Sequence, residues 1–266
     1  MLKLMKTKID KPIIGITMCL DRYGLVRQGI DYSFIRSEFG EQVKTAGGLP
    51  IFLDYTINPE AAAELCDGIV ISGGEDIEPS FYGEESQYDH TKEPVQRTSW
   101  ERELIDACDR QNIPILGVCY GAQLLNIHYG GTLHQNIASE IKHPEDHGKT
   151  TQAVLHDIVF DKEFLGFVKG QTAEVACRHH QAVKDLAPGM AASAYAADGV
   201  IEAISGYGHV GVQWHAEADG TASMIYGSFI ASLHERGTKR LRESLIKHLL
   251  QRVYPERPDS LGRIRQ

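Results

Sequence analysis

The chain has 266 residues, 42% of them hydrophobic and 24% charged, with a formal net charge of −9. That composition belongs to a folded globular protein with a sizeable core, and no run approaches the roughly 18 consecutive apolar residues of a membrane helix. Met1 to Lys11 has charge but no apolar stretch behind it, and the five cysteines are scattered without CxxC spacing, so secretion, membrane spanning, a disulfide framework and a zinc site are all disfavoured and a reducing cytosol is the simplest compartment.

Short β-rich apolar runs alternate with helical patterns through the first half, the sequence form of parallel strands joined by crossover helices. Ile13 to Met18 reads as a strand, Tyr32 to Thr45 as a helix ending at Gly47-Gly48, Leu49 to Asp54 as a strand and Pro59 to Cys66 as a short helix. The next strand, Gly68 to Ser72, stops at Gly73-Gly74. From there to Thr98 the chain reads as a long loop rich in Glu, Gly, Pro and Tyr, of a length that points to covering a site. Ser99 reads as the N-cap of a helix through Arg110, with Glu101 and Glu103 near the positive end of its dipole, although Arg102 excludes a capping box.

Ile113 to Val118 is the following strand, and beyond it the second half carries irregular, partly antiparallel strands at Ala153 to Phe160, Ala173 to Cys177, Val200 to Ile204 and Val210 to Trp214. A helix from about Thr221 to Glu235 comes next. Arg236 to Gln266 holds nine Lys/Arg against three Asp/Glu, so the body is acidic and the tail basic. Lys239 to Arg252 reads as an amphipathic helix with Leu241, Leu245, Ile246, Leu249 and Leu250 on one stripe and a solvated basic face. An acidic body argues against a nucleic-acid binder. With no repeat and no Pro- or Ser-rich linker, one domain is expected, a boundary near residue 150 being the alternative.

Gly117-Val118-Cys119-Tyr120-Gly121 follows an apolar strand and precedes a helical run, Ala122 to Ile127. G-x-C-x-G in that setting is the thiol form of a nucleophile elbow: the glycines let the backbone turn sharply and hold the central side chain above the strand ends. The helix N-terminus beneath the sulfur would favour a thiolate. A buried, inert cysteine in a strand-to-helix turn is the competing reading.

A thiol nucleophile needs a base, and the base an orienting group. His215 and Glu217, two apart at the end of an apolar strand, would share a face if extended and so supply both. The rival pair is His179-His180, which a strand would point to opposite faces, so that at most one could face Cys119. Backbone N–H groups at Gly73-Gly74 and at Tyr120 could hold an oxyanion, at the strand ends where open α/β sheets place their sites. His143-Pro144-Glu145-Asp146-His147 puts two histidines at i and i+4, but Pro144 makes the segment a loop, so no metal is expected. No phosphate-binding glycine motif is present, and no cofactor is expected.

Gly15-Ile16-Thr17, Ala46-Gly47-Gly48-Leu49-Pro50, Asp67-Gly68 leading to Ser72-Gly73-Gly74-Glu75-Asp76-Ile77, the Cys119 elbow and Trp214-His215-Ala216-Glu217 together resemble the class I glutamine amidotransferase-like proteins, specifically the gamma-glutamyl-gamma-aminobutyrate hydrolase family. The likeness spans roughly residues 11 to 232. It implies a flavodoxin-like α/β fold, a mostly parallel sheet with a partly antiparallel second half and helices on both faces. It also implies a Cys119, His215, Glu217 triad, an oxyanion hole at Gly74 and Tyr120, and substrate contacts from Gln123, His179, His180 and Gln181.

The implied reaction is hydrolysis of a small γ-glutamyl amide through a γ-glutamyl thioester in the cytoplasm, with neither nucleic acid nor membrane as partner and a homodimer compatible with it. The alternatives are a glutaminase subunit feeding ammonia to a separate synthase, and a catalytically silent binding or regulatory module. Four positions depart from the family pattern. Ala216 stands where Pro is usual between His and Glu, Tyr120 where Arg usually follows the nucleophile, Ala176-Cys177-Arg178-His179 where Asn-Ser-x-His is common, and Arg97-Thr98 where Arg-Asp is expected.

Overall fold

The computed structural model describes residues 11–21, 24, 27–148 and 153–234. Its centre is a nine-stranded sheet of β1 (Ile13–Thr17), β2 (Leu49–Leu53), β3 (Gly68–Ile71), β4 (Ile115–Val118), β5 (Val154–Phe160), β6 (Thr172–Cys177), β7 (Ala191–Ala196), β8 (Ile201–Gly206) and β9 (His209–Val212). The spatial order is β2-β1-β3-β4-β9-β8-β7-β5-β6. The first five run parallel, and β8, β7, β5 and β6 then add on, each antiparallel to its neighbour.

Parallel pairing demands crossovers, and the crossovers cover both faces. Ile14, Ile16, Val70, Leu116 and Val118 face α1 (Ser37–Thr45) through Phe39 and Val43, and a helix over 222–234 through Ile225, Tyr226, Phe229 and Ile230. The alternate positions Ile69, Ile71 and Ile115 face α2 (Pro59–Leu65), α3 (Val95–Gln111) and α4 (Tyr120–His128), meeting Leu104, Ile105, Leu124 and Leu125. The period-2 alternation within Ile69-Val70-Ile71 thus splits one apolar run between two cores. No helix among the described residues is long and apolar enough to cross a membrane.

Several expectations are corrected. Tyr32 to Phe34 is not helical: it pairs antiparallel with Cys19–Asp21, and the Ser33 hydroxyl bonds to Asp54, so α1 begins only at Ser37. The ladder and that hydroxyl bond outweigh a helical pattern that rested on spacing alone. Ser99 is no N-cap, because α3 already starts at Val95, behind Pro94. Glu101 therefore lies inside the helix, buried, and bonds to Arg97 one turn earlier instead of serving the dipole. Strand β7, Ala191-Ala-Ser-Ala-Tyr-Ala, carried no assignment, since small side chains leave almost no hydrophobic alternation to read. The proposed Lys239 to Arg252 helix lies outside the described residues.

The elbow shows why two glycines are obligatory. A Cβ on Gly117 would sit 2.5 Å from the Gly121 carbonyl carbon and oxygen, and one on Gly121 would sit 2.3 Å from the Ile71 carbonyl oxygen. For Gly121→Ala, helix propensity favours the alanine by about 1 kcal/mol. The backbone clash opposes it by about 1–3 kcal/mol or more, since no flexible side chain can yield. The expected outcome is a net loss of stability, read as a lower midpoint in denaturant or thermal melts; an unchanged or raised midpoint would contradict this packing.

Candidate active site

Cys119 sits between β4 and α4 with φ 53° and ψ −108°, a left-handed conformation that a cysteine rarely adopts. Both sides of the turn are pinned. The Cys119 N–H donates to the Val212 carbonyl at 2.8 Å, tying the turn to β9, and its own carbonyl accepts from the Ala122 and Gln123 amides at 3.0 and 3.2 Å. The side chain is buried in the protein but lines a narrow crevice with Gly74, Glu75, Asp76, Gln123 and Arg178.

β9 leads to the candidate base, His215. The strand ends at Val212, and the His215 N–H donates to the Ala176 carbonyl at 2.8 Å, after which Ala216–Ala218 forms a short 3-10 turn. His215 Nδ1 and Glu217 Oε1 are 2.7 Å apart. The expected contact is present, but for a different reason: the tight turn folds Glu217 back onto the ring, and no extended strand is involved. The imidazole retains 12% exposure and the carboxylate none, so the ring is open to solvent while Glu217 stays dry. Burial by itself would lower the His215 pKa; the neighbouring Cys119 sulfur, then the Glu217 carboxylate, override it and raise the value to about 10. Gly73 lies where His215 and Cys119 meet, since a Cβ there would be 3.0 Å from His215 Cε1 and 3.8 Å from Cys119 Cβ.

The amides of Gly74 and Tyr120 flank this meeting point, and neither donates to a backbone or side-chain acceptor among the described residues. Their placement depends on Arg97, a group that motif reading left unused. Its guanidinium is fully buried and donates to the carbonyls of Ser72 and Gly73, both at 3.2 Å, to Glu93 at 2.8 Å and to Glu101 at 3.1 Å. It also lies over the Tyr120 ring, 4.4 Å from the centroid. A Cβ on Gly74 would be 2.4 Å from Glu93 Oε1, so the ion pair reserves this position for glycine.

The four expected substrate residues converge on the same crevice with unequal freedom. The Gln123 amide group is committed to the Gln181 carbonyl at 3.0 Å and Gln213 Oε1 at 3.2 Å. His179 and His180 lie past the end of β6, and they diverge: His179 is buried and bonds to the Gln181 carbonyl at 3.0 Å, whereas half-exposed His180 meets Asp76 Oδ2 at 2.9 Å. Neither stands where His215 does. Gln213, not anticipated, points its amide at the Cys119 sulfur at 3.8 Å. Arg178, read only as a departure, lines the crevice, and its buried Nε has no hydrogen-bond partner.

Two cavities open from the crevice. One of about 260 Å³ carries His215 and is walled by Leu20, Phe34, Ile35, Phe39 and Arg36. The other, of about 450 Å³, is lined by His90, Asn136, Glu145, His147, His179 and His180. Thr91 and Glu75 border both, so the 73–94 segment does form a wall of the site as its length suggested. Burial, with the Glu93 and Asp76 charges adding to it, pushes the Glu75 carboxyl pKa up.

A strained cysteine thus stands above the carboxyl ends of a parallel sheet, with His215 and Glu217 beside it, in a fold shared with class I glutamine amidotransferase-like proteins. The crystal structure of a glutamine amidotransferase from Thermotoga maritima shares the fold at a TM-score of 0.53, with 15% identity, 92% of this chain covered and 99% of that one. The chain belongs to the Peptidase C26 family, whose model matches residues 12–217. Protein NtpR of Enterococcus hirae is 35% identical over 77% of this chain and 91% of its own length. The gamma-glutamyl-gamma-aminobutyrate hydrolase of Escherichia coli K12 is 28% identical over 80% and 88%. These relationships make the protein a glutamine amidotransferase-like member of a hydrolase family acting on carbon–nitrogen bonds.

The causes of the His215 shift fix an order of effects. Because the sulfur raises the imidazole pKa more than the carboxylate does, Cys119→Ala should lower the pH of ring deprotonation from about 10 by more than Glu217→Gln does, and both should move it downward as burial takes over. Imidazole NMR across pH 5 to 11 measures all three proteins. An upward movement, or a larger effect of Glu217→Gln, would show that the sulfur and ring are not coupled in this way.

Proposed function

We propose that the protein is a thiol hydrolase of small γ-glutamyl amides whose departing amine carries a carbon chain. The observation that supports this above others is the position of His215: it belongs to the cavity walled by Leu20, Phe34, Ile35 and Phe39 and also abuts Cys119. The general acid must stand next to the departing nitrogen, so the apolar cavity receives the amine half. Ammonia would not use such a space. The same argument sets aside a glutaminase subunit, whose leaving group is ammonia. Arg36, on the cavity wall, offers a cation for an amine ending in a carboxylate, as γ-aminobutyrate does.

In this reading the Cys119 thiolate attacks the γ-carbonyl carbon, and the amides of Gly74 and Tyr120 receive the developing oxyanion. The C–N bond breaks as imidazolium His215 gives its proton to the amine. Water then enters, His215 takes a proton from it, and attack on the thioester releases glutamate and restores the thiolate. Glu217 holds the ring tautomer throughout and is shielded from solvent. The γ-glutamyl half occupies the crevice, where unpartnered Arg178 supplies a cation for the α-carboxylate and Glu75 and Asp76 supply acceptors for the α-ammonium.

Turnover and thioester formation should vanish in Cys119→Ala, with glutamate and free amine identified by mass spectrometry in the wild type. Across γ-glutamyl amides of rising alkyl length, each methylene buried in the apolar cavity contributes about 0.8 kcal/mol, so kcat/KM should climb roughly fourfold per methylene until the space is filled, with glutamine the poorest substrate. A flat series, or glutamine as the best substrate, would reassign the cavity. Full activity in Cys119→Ala would remove the nucleophile.

A further inference from the structure

Beside the larger cavity, which His147 lines, lies a buried cluster that the reaction does not use. His147 comes from the loop before β5, His156 from β5, Cys177 from the end of β6 and Glu202 from β8. One donor atom of each lies within 4.8 Å of the others. Cys177 pairs with Val154, which shares a face with His156, so the antiparallel register itself sets thiol and imidazole side by side, with Sγ 3.0 Å from Nε2. Glu202 Oε1 is 3.4 Å from His147 Nδ1, 3.5 Å from His156 Nε2 and 3.5 Å from His179 Nε2, yet both carboxylate oxygens are buried without a hydrogen-bond partner.

Proton bookkeeping makes the arrangement pointed. His147 Nε2 is 2.9 Å from Asp198 Oδ2, an acceptor, so that nitrogen carries a hydrogen, and Nδ1 is the ring nitrogen turned to Glu202. His179 Nδ1 likewise donates to the Gln181 carbonyl and leaves a lone pair on Nε2. Both nitrogens lie 3.4–3.5 Å from one carboxylate oxygen, and His147 Nδ1 and His179 Nε2 are themselves buried without hydrogen-bond partners. A cation held among these buried polar atoms would satisfy them. A ligating histidine whose other nitrogen is held by a carboxylate is also the usual outer arrangement of a protein metal site, and the His147–Asp198 pair supplies it.

We propose that His147 Nδ1, His156 Nε2, Cys177 Sγ and Glu202 bind one divalent transition-metal ion, with zinc the best match to a donor set of two imidazoles, one thiolate and one carboxylate. Zinc bonds of about 2.0–2.3 Å place tetrahedral donors about 3.3–3.8 Å apart; the 3.0, 3.4 and 3.5 Å separations here need tenths of an ångström of adjustment, and the remaining pairs, which reach to within 4.8 Å, close by up to about 1 Å as the ion binds. The Cys177 thiol proton leaves to solvent as the Zn–S bond forms. Four protein donors and no solvent-facing position define a structural ion. It ties the 143–148 loop to β5, β6 and β8, and so fixes the wall of the cavity that His147 and His179 line.

The test uses the full-length, tag-free protein, chelator-treated and checked for retained fold by circular dichroism. Zinc or cobalt(II) alone should bind at one ion per chain, with about one proton released and, for cobalt, a thiolate-to-metal charge-transfer band. Cys177→Ser should abolish that band, Glu202→Gln should weaken binding more than 10-fold, and Asp198→Asn should weaken it about 10–100-fold. His90→Ala, in the same cavity but outside the donor set, should change nothing. A folded wild-type protein that takes up neither ion overturns the proposal. So does binding that survives Cys177→Ser and Glu202→Gln undiminished, or that His90→Ala removes.

Discussion

A single buried positive charge organises this site. The Arg97 guanidinium has no access to water, and an uncompensated ion there would be untenable, so the surrounding polar groups are bound to meet it. Two carboxylates, two backbone carbonyls and the face of an aromatic ring do so. The carbonyls belong to Ser72 and Gly73, where β3 ends, and the ring belongs to Tyr120, immediately after the nucleophile. One side chain from α3 therefore sets the relative position of the two chain segments whose amides flank Cys119. Taking away Arg97 would strand its buried carboxylate partners in the interior, a loss of about 3–5 kcal/mol, far above that of a surface ion pair.

The elbow itself was legible because its requirements are local. A left-handed cysteine between a strand and a helix needs neighbours without Cβ atoms, and Gly117 and Gly121 answer contacts of 2.5 and 2.3 Å. Such demands leave their mark within five residues. The pairing of His215 with Glu217 was also legible as a spacing, although the turn that makes it was not: i and i+2 meet either in an extended chain or when a 3-10 turn swings one back, and spacing alone does not separate these.

What escaped the sequence shares one property, that its partners lie far away along the chain. Arg97 reaches the site through groups at 72, 73 and 120; Gln213 acts through Gln123 and the Cys119 sulfur. Tyr32 to Phe34 changes from helix to strand because Cys19–Asp21 pairs with it. Tertiary pairing overrode local pattern in each case. The strands of the parallel half, rich in Ile, Leu and Val and buried except at the edge strand β2, were visible; alanine-rich β7 was not, since its small side chains leave little hydrophobic alternation to read.

The departures from the family pattern gain meaning once they are seen in space. Tyr120 and Thr98 looked like two unrelated changes, one removing a positive charge after the nucleophile and the other a negative charge in α3. Their hydroxyls are 3.1 Å apart in the core. Opposite charges at both positions, or neutral hydroxyls at both, leave the interior balanced, while either change made singly would leave an unpaired ion beside Arg97. Two neutral hydroxyls that meet each other therefore suit the interior beside Arg97. Ala216 is compatible with the same economy: the 3-10 turn it occupies already brings His215 and Glu217 to 2.7 Å, so proline's fixed φ is not needed to make the contact.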